Sequence, residues 1–142
     1  MGNLKLYLDD QRTPTDKGWI VVRNYDEFVE QVTKHGISEF GTISFDHDLG
    51  DTAMSEYFNN VRPNYVLDYS NIAEKTGLDC AKWLIDHYFE TTKDGDPFVF
   101  PNTYSHSANP IGAANIIGYI NNFLKNVHQP QTCIRVKIEH TV

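Results

Sequence analysis

The chain has 142 residues, with 12 Lys and Arg against 19 Asp and Glu for a net charge of −7; 40% of it is hydrophobic and 22% charged. This is enough for one domain with its own core and shows no signature of disorder, and the acidic balance excludes a tight grip on duplex DNA, though not on a small phosphorylated ligand held by a few local cations. No apolar run approaches the ~18 residues of a membrane span, no apolar targeting segment opens the chain, and Cys80 and Cys133 lie in apolar surroundings as expected of buried free thiols in a reducing compartment, so a cytoplasmic location is expected.

Leu4 to Leu8 (LKLYL) reads as a short buried strand that stops at Asp9-Asp10. Gln11 to Gly18 is turn chemistry, with Pro14 and Gly18, and Trp19 to Val22 (WIVV) is a second strand. Asn24 caps a helix whose apolar positions Tyr25, Phe28, Val29 and Val32 recur at helical spacing until Gly36. Thr42 to Phe45 is a third strand, ending in Asp46-His47-Asp48-Leu49-Gly50. Residues 50 to about 75 lose periodicity and are expected to form a long loop insertion carrying Tyr57, Phe58, Arg62, Tyr65 and Tyr69. Thr76-Gly77 leads into a helix with Leu78, Ala81, Leu84, Ile85 and Tyr88 on one face. After a turn at Asp94-Gly95-Asp96-Pro97, a fourth strand starts at Phe98 to Phe100 and runs to about Tyr104. Asn109-Pro110 is an N-cap followed by Pro at the first helical position, and Ala113, Ile116, Ile117, Ile120, Phe123 and Leu124 are the apolar face of that helix. Cys133 to Ile138 (CIRVKI) is a last strand, alternating as an edge strand does.

Strands alternating with helices in one domain of residues 1–142 predict an α/β fold with a mainly parallel five-stranded sheet and helices on both faces, a three-layer sandwich. In such sheets ligands bind beyond the carboxyl ends of the strands. Asp9 and Asp10 end the first strand, Asp46 to Asp48 end the third, and Ser105, His106 and Ser107 follow the fourth, so polar clusters from three strands share one rim.

Each cluster has a structural and a functional reading. Asp9-Asp10 is either a turn bonded to its own backbone or a pair of oxygen ligands for a hard divalent cation. Alternation along a strand puts Asp46 and Asp48 on one side and turns His47 away, unless the turn begins there. His106 is either a loop histidine bonded to backbone or an acid–base group at neutral pH, and the helix opening at Asn109 is a ready phosphate seat. Arg12 is a phosphate clamp or the ion-pair partner of Asp9 or Asp10. His35, His87, His128 and His140 are expected in structural or surface roles.

An early Asp-Asp, a third-strand Asp and alternating elements resemble the response-regulator receiver (flavodoxin-like) fold, but without its Thr and Lys at the fourth and fifth strand ends, since Lys137 falls inside the Cys133–Ile138 run. The segments LYLDDQRTP (Leu6 to Pro14), WIVVRNYDEF (Trp19 to Phe28), SFDHDLG (Ser44 to Gly50), TGLDCAKWL (Thr76 to Leu84) and HSANPIGAANI (His106 to Ile116) resemble, in order, the motifs of the cyclic-phosphate processing receiver domains. The resemblance implies a hydrolase-type phosphodiesterase that opens a cyclic phosphate on a nucleotide, an RNA end or an ADP-ribose derivative, in RNA repair or phage–host conflict. The expected partner is thus a small cyclic-phosphate nucleotide or RNA terminus. In that reading His47 and His106 form the acid–base pair, assisted by Asp46. Asp9, Asp10, Asp46 and Asp48 hold a divalent cation such as Mg²⁺ or Mn²⁺, and Arg12, Ser107 and Asn109 seat the phosphate. The alternative is a non-catalytic receiver derivative that binds a nucleotide or a partner protein.

Overall fold

A computed structural model describes residues 2–95 and 97–141. Asp96, in the expected 94–97 turn, lies outside the described residues. In chain order the elements are β1 (Leu4–Leu8), β2 (Trp19–Val22), α1 (Tyr25–His35), β3 (Phe40–Phe45), α2 (Asp51–Glu56), α3 (Arg62–Asn64), α4 (Gly77–Thr92), β4 (Asn102–Ser105), α5 (Pro110–Asn126) and β5 (Ile134–Arg135). The strands form one sheet in the order β2-β1-β3-β4-β5, and every pair is parallel. The fold is therefore α/β with the strand order of the receiver fold. None of its described helices is long and apolar enough to cross a membrane.

Leu6 and Leu8 of β1 and Ile43 and Phe45 of β3 point to the same face and enter one buried cluster. That cluster also holds Phe28 and Val32 of α1, Leu84 of α4 and Ile116 and Ile120 of α5. α1 packs beside α4, and α4 beside α5. All three strand-to-strand crossovers carrying these helices step in one direction across the sheet, so the usual right-handed connection puts them on one face. A helical layer was expected on each face. Here the three long helices cover one face, because residues 9–18 between β1 and β2 hold a turn-rich loop and no helix follows β5 among the described residues. The other face carries Lys5, Tyr7 and Ser44, and residues 136–141 run back to it: Thr15 N–H donates to the Glu139 carbonyl (2.9 Å) and Thr141 N–H to the Thr13 carbonyl (2.9 Å).

Three expected segments differ. Residues 51–64 are helical rather than loop, with a π-helical turn at Tyr57–Val61 between α2 and α3. The wider turn shifts the apolar positions off a 3.6-residue repeat, which hides the helix from a periodicity reading. β4 starts at Asn102 rather than Phe98, because Pro101 lacks an N–H for the ladder; the side-chain amides of Gln129 and Gln131 donate instead to the carbonyls of Phe98 and Phe100 (3.2 and 2.7 Å). β5 spans two residues, which leaves Lys137 beyond it rather than inside it. Cys80 and Cys133 are buried and free, as expected.

Candidate functional site

The sheet ladder continues one residue past each strand end. Asp9 N–H donates to the Val22 carbonyl (3.0 Å), Asp46 N–H to Leu8 (2.9 Å), His106 N–H to Phe45 (3.1 Å) and Val136 N–H to Ser105 (2.9 Å). This register sets Asp9, Asp46 and His106 side by side on the rim, and alternation turns all three toward the face opposite the helices.

Asp9 is the most heavily engaged group, at 1% exposure. Its Oδ1 accepts the backbone N–H groups of Gln11 (3.0 Å) and Arg12 (2.7 Å), and its Oδ2 accepts Arg12 Nε (2.9 Å) and faces His106 Nε2 (3.2 Å). The turn expected of the first cluster forms here, and of the two readings of Arg12 the ion pair with Asp9 is made. Burial pushes the Asp9 carboxyl up, but the bonds from His106 and from the Arg12 and Gln11 amides, with the Arg12 charge, outweigh it and bring the pKa down to about 2. Arg23 braces the same loop by donating to the carbonyls of Asp9 (3.1 Å) and Arg12 (2.7 Å).

Asp46 has the opposite balance. Burial, then the Asp9 charge, raise its pKa to about 8, against lowering by Arg12, whose guanidinium stands 3.9 Å away, and by the His47 amide. Asp10 is raised as well, by burial and by Asp9. Carboxylate oxygens of Asp9, Asp10 and Asp46 lie within 4.8 Å of one another, a grouping that could hold a metal ion. Two neighbouring acids whose pKa values are both raised by burial and by Asp9 would be relieved by a cation bound among their oxygens. Asp48 lines the same crevice, but its carboxylate is engaged by His47 (2.7 Å) and by the Asn109 side-chain amide (3.3 Å).

The crevice beside these acids has a volume of about 310 Å³. Asp9, Asp10, Asp46 and Asp48 line it with Arg12 and Ser107, and its far wall is Met54, Tyr57, Phe58 and Arg62 from the helical 51–64 segment. From the sequence Arg62 could close over an anion and the aromatics were expected to pack the loop down, but no periodic or motif signal placed them at the crevice.

His47 stands elsewhere. It is completely buried on the helical side of the sheet, against α5, where a Cβ on Gly112 would lie 2.3 Å from its ring. Its Nδ1 bonds Asp48 and its Nε2 bonds the Tyr69 hydroxyl (2.9 Å). The expectation that His47 faces a reacting phosphate is corrected: strand alternation sends it to the face opposite Asp46, and it does not line the crevice. Asn109 is also turned inward, at 1% exposure. Its Oδ1 accepts the N–H groups of Ile111 (3.1 Å) and Gly112 (2.9 Å), and Pro110 has none, so the start of α5 keeps no free donor for a phosphate in its first three residues. Of the expected phosphate-seating residues, Arg12 and Ser107 reach the crevice.

His106 does reach the rim, stacked on Tyr7 with ring centroids 4.1 Å apart. Its Nδ1 meets Ser44 Oγ at 2.7 Å. Burial lowers its pKa, against the raising effect of Asp9, so the ring is neutral near pH 7. The Asp9 carboxylate can only accept, so the ring proton sits on Nε2 and Nδ1 accepts from Ser44. On the far side stands His140, whose ring lies 6.0 Å from that of His106 and bonds the Tyr7 hydroxyl. His140 was read as peripheral. The antiparallel bridge between Pro14 and His140 brings it in, a contact without local sequence signal. Asp9, His106 and His140 form a second grouping able to hold a metal ion.

The family model described as cyclic-phosphate processing Receiver domain matches residues 4–122, a span that includes Asp9, Asp46, His47, His106 and Asn109 but not His140. No curated protein and no solved structure matches the chain.

Proposed function

Because the chain belongs to the cyclic-phosphate processing receiver domain family, we propose that it is a phosphoesterase that hydrolyses a cyclic phosphate on a nucleotide, an RNA end or an ADP-ribose derivative. The observation that carries this reading is the rim itself. One acid is ionised and paired (Asp9), one is poised near neutral pH (Asp46), and Arg12 and a neutral imidazole stand beside them. Ring opening forms a bond from a water oxygen to phosphorus and breaks the bond from phosphorus to one ribose oxygen. The water loses a proton and the departing oxygen gains one.

Asp46 is placed to take the first proton, since a carboxyl titrating near neutrality accepts one readily at mildly alkaline pH. His106 stands at the rim between Ser44 and Asp9; as the imidazolium, which the Asp9 carboxylate favours, it gives one proton to the leaving oxygen and returns to the neutral ring. Arg12 and the Ser107 hydroxyl seat the non-bridging oxygens, and Arg62 closes the opposite wall. His47 bonds Asp48 from the helical side and has a structural rather than a chemical part in this reading. A divalent cation fits Asp10 and Asp46, with Asp9 beside them; bound there it would hold Asp46 ionised in place of its role as proton acceptor, and would supply positive charge for the phosphoryl oxygens and a more acidic water.

The test is a panel of 2′,3′-cyclic nucleotides and ADP-ribose 1″,2″-cyclic phosphate, each with and without Mg²⁺ or Mn²⁺. Linear phosphomonoester product is expected, and its absence throughout would remove the enzymatic reading. The burial of His47 favours one alternative, a non-catalytic module that binds a nucleotide or a partner protein, because it takes one member of the expected His47–His106 acid–base pair out of the crevice. Binding of the same compounds without turnover would establish that alternative.

A further inference from the structure

We propose that residues 135–140 build a second anion subsite, one that selects molecules carrying a further phosphate besides the cyclic one. The proposal rests on the first crevice seating the ring phosphate. Next to that crevice is a larger cavity of about 500 Å³, bounded by Arg12, His106, Arg135, Lys137 and His140. In a chain of net charge −7, no carboxylate is among its described lining residues. Arg135 and Lys137, with Arg12 shared with Asp9 and the His140 imidazole beside them, suit a phosphate, whose oxygens accept several charge-assisted bonds at once.

The wall is built in advance. The hydrogen bonds to Thr13 and Thr15 and the His140–Tyr7 bond hold residues 139–141 in place, and Arg135 is steadied at the rim by donating to the Ser107 carbonyl (2.9 Å). Arg12, Ser107 and Ala108 line both cavities, so the two are continuous around the Arg12–Asp9 pair. A ligand with its ring phosphate beside Asp46 and Asp10 can extend past Arg12 into the basic cavity, which is large enough for a nucleotide-sized group. The chemistry required there is a phosphate joined to the sugar that bears the ring: a 5′-phosphate, the preceding phosphodiester of an RNA end, or the diphosphate of ADP-ribose.

The experiment compares kcat/KM for adenosine 2′,3′-cyclic phosphate with that for its 5′-phosphorylated form. ApA 2′,3′-cyclic phosphate and ADP-ribose 1″,2″-cyclic phosphate serve as arms that tell an RNA end from a diphosphate-linked sugar. The extra phosphate is expected to raise kcat/KM by roughly tenfold or more. Lys137→Glu should collapse that ratio toward one, and Lys137→Arg should keep it. A wild-type ratio near one, or a ratio that survives Lys137→Glu, overturns the subsite. If nothing is turned over, calorimetric binding of the same pairs decides: a phosphate advantage lost in Lys137→Glu supports the subsite while the ring-opening reading falls, and equal binding overturns it.

Discussion

Asp9 and Asp46 are neighbours of the same residue type with opposite fates, and the difference is partner count. Asp9 takes two backbone amides, a guanidinium and an imidazole, whereas Asp46 takes the His47 amide at 2.8 Å and little else. A carboxyl raised from 3.8 to about 8 keeps its proton in the folded state after the unfolded chain has lost it. Stability of the wild type therefore falls as pH climbs through that window and levels off above it. Asp46→Asn can still accept the His47 amide and has no charge to bury. It should be more stable than wild type by ~1–3 kcal/mol at pH 8, with the gap closing toward pH 4, as read by thermal unfolding across pH, while turnover is lost. The two histidines should separate in the same way. His106→Ala should lower turnover ~10²–10⁴-fold. It should also cost ~1–2 kcal/mol, more than a free crevice residue would, because the Ser44 and Asp9 bonds and the Tyr7 stack go with it. His47→Ala should lose ~2–4 kcal/mol by leaving a cavity and stranding Asp48 and Tyr69, and any activity loss should follow the folded fraction, measured by denaturant titration beside turnover.

Helix α5 carries two glycines whose surroundings predict opposite responses. Gly112 faces the His47 ring with no room for a methyl group, whereas Gly118 is exposed with open space around it. Gly112→Ala should cost roughly 1–3 kcal/mol through overpacking, and Gly118→Ala should gain about 0.5–1 kcal/mol from helix propensity alone, both read as shifts in denaturation midpoint. Asn109→Ala at the start of the same helix should lose ~1–2 kcal/mol, since the two capped amides and the Asp48 contact go together. Elements of this kind were readable wherever a local device marks them. The Leu4–Leu8 and Trp19–Val22 strands, the Asn24 and Asn109 caps and the Thr76 helix start follow from alternation and capping chemistry within a few residues. The 51–64 segment did not, because a π turn breaks the repeat, and β4 did not begin where apolar residues do because Pro101 cannot join a ladder. His47 is instructive in another way. Alternation alone sends it to the helical side, and only its position between two acids suggested the crevice.

At the scale of the molecule, a parallel sheet gathers its strand ends on one edge, which is why three carboxylates and His106, dispersed over about a hundred positions, meet on one rim. That convergence was foreseeable from the alternation of elements. The return of residues 136–141 was not, since no motif announces a bridge between Pro14 and His140. That return has a consequence for local opening. The bonds tying Glu139 and Thr141 to the 13–15 loop close a loop longer than 120 residues yet touch little of the buried cluster around Phe45 and Ile116. They can break while the sheet stays intact, so the basic wall has a free energy of detachment of its own, smaller than that of global unfolding. The amides of Thr15 and Thr141 should then exchange with solvent deuterium well before those of Asp9 and Asp46, and an anion in the basic cavity should slow the first pair and leave the second pair unchanged.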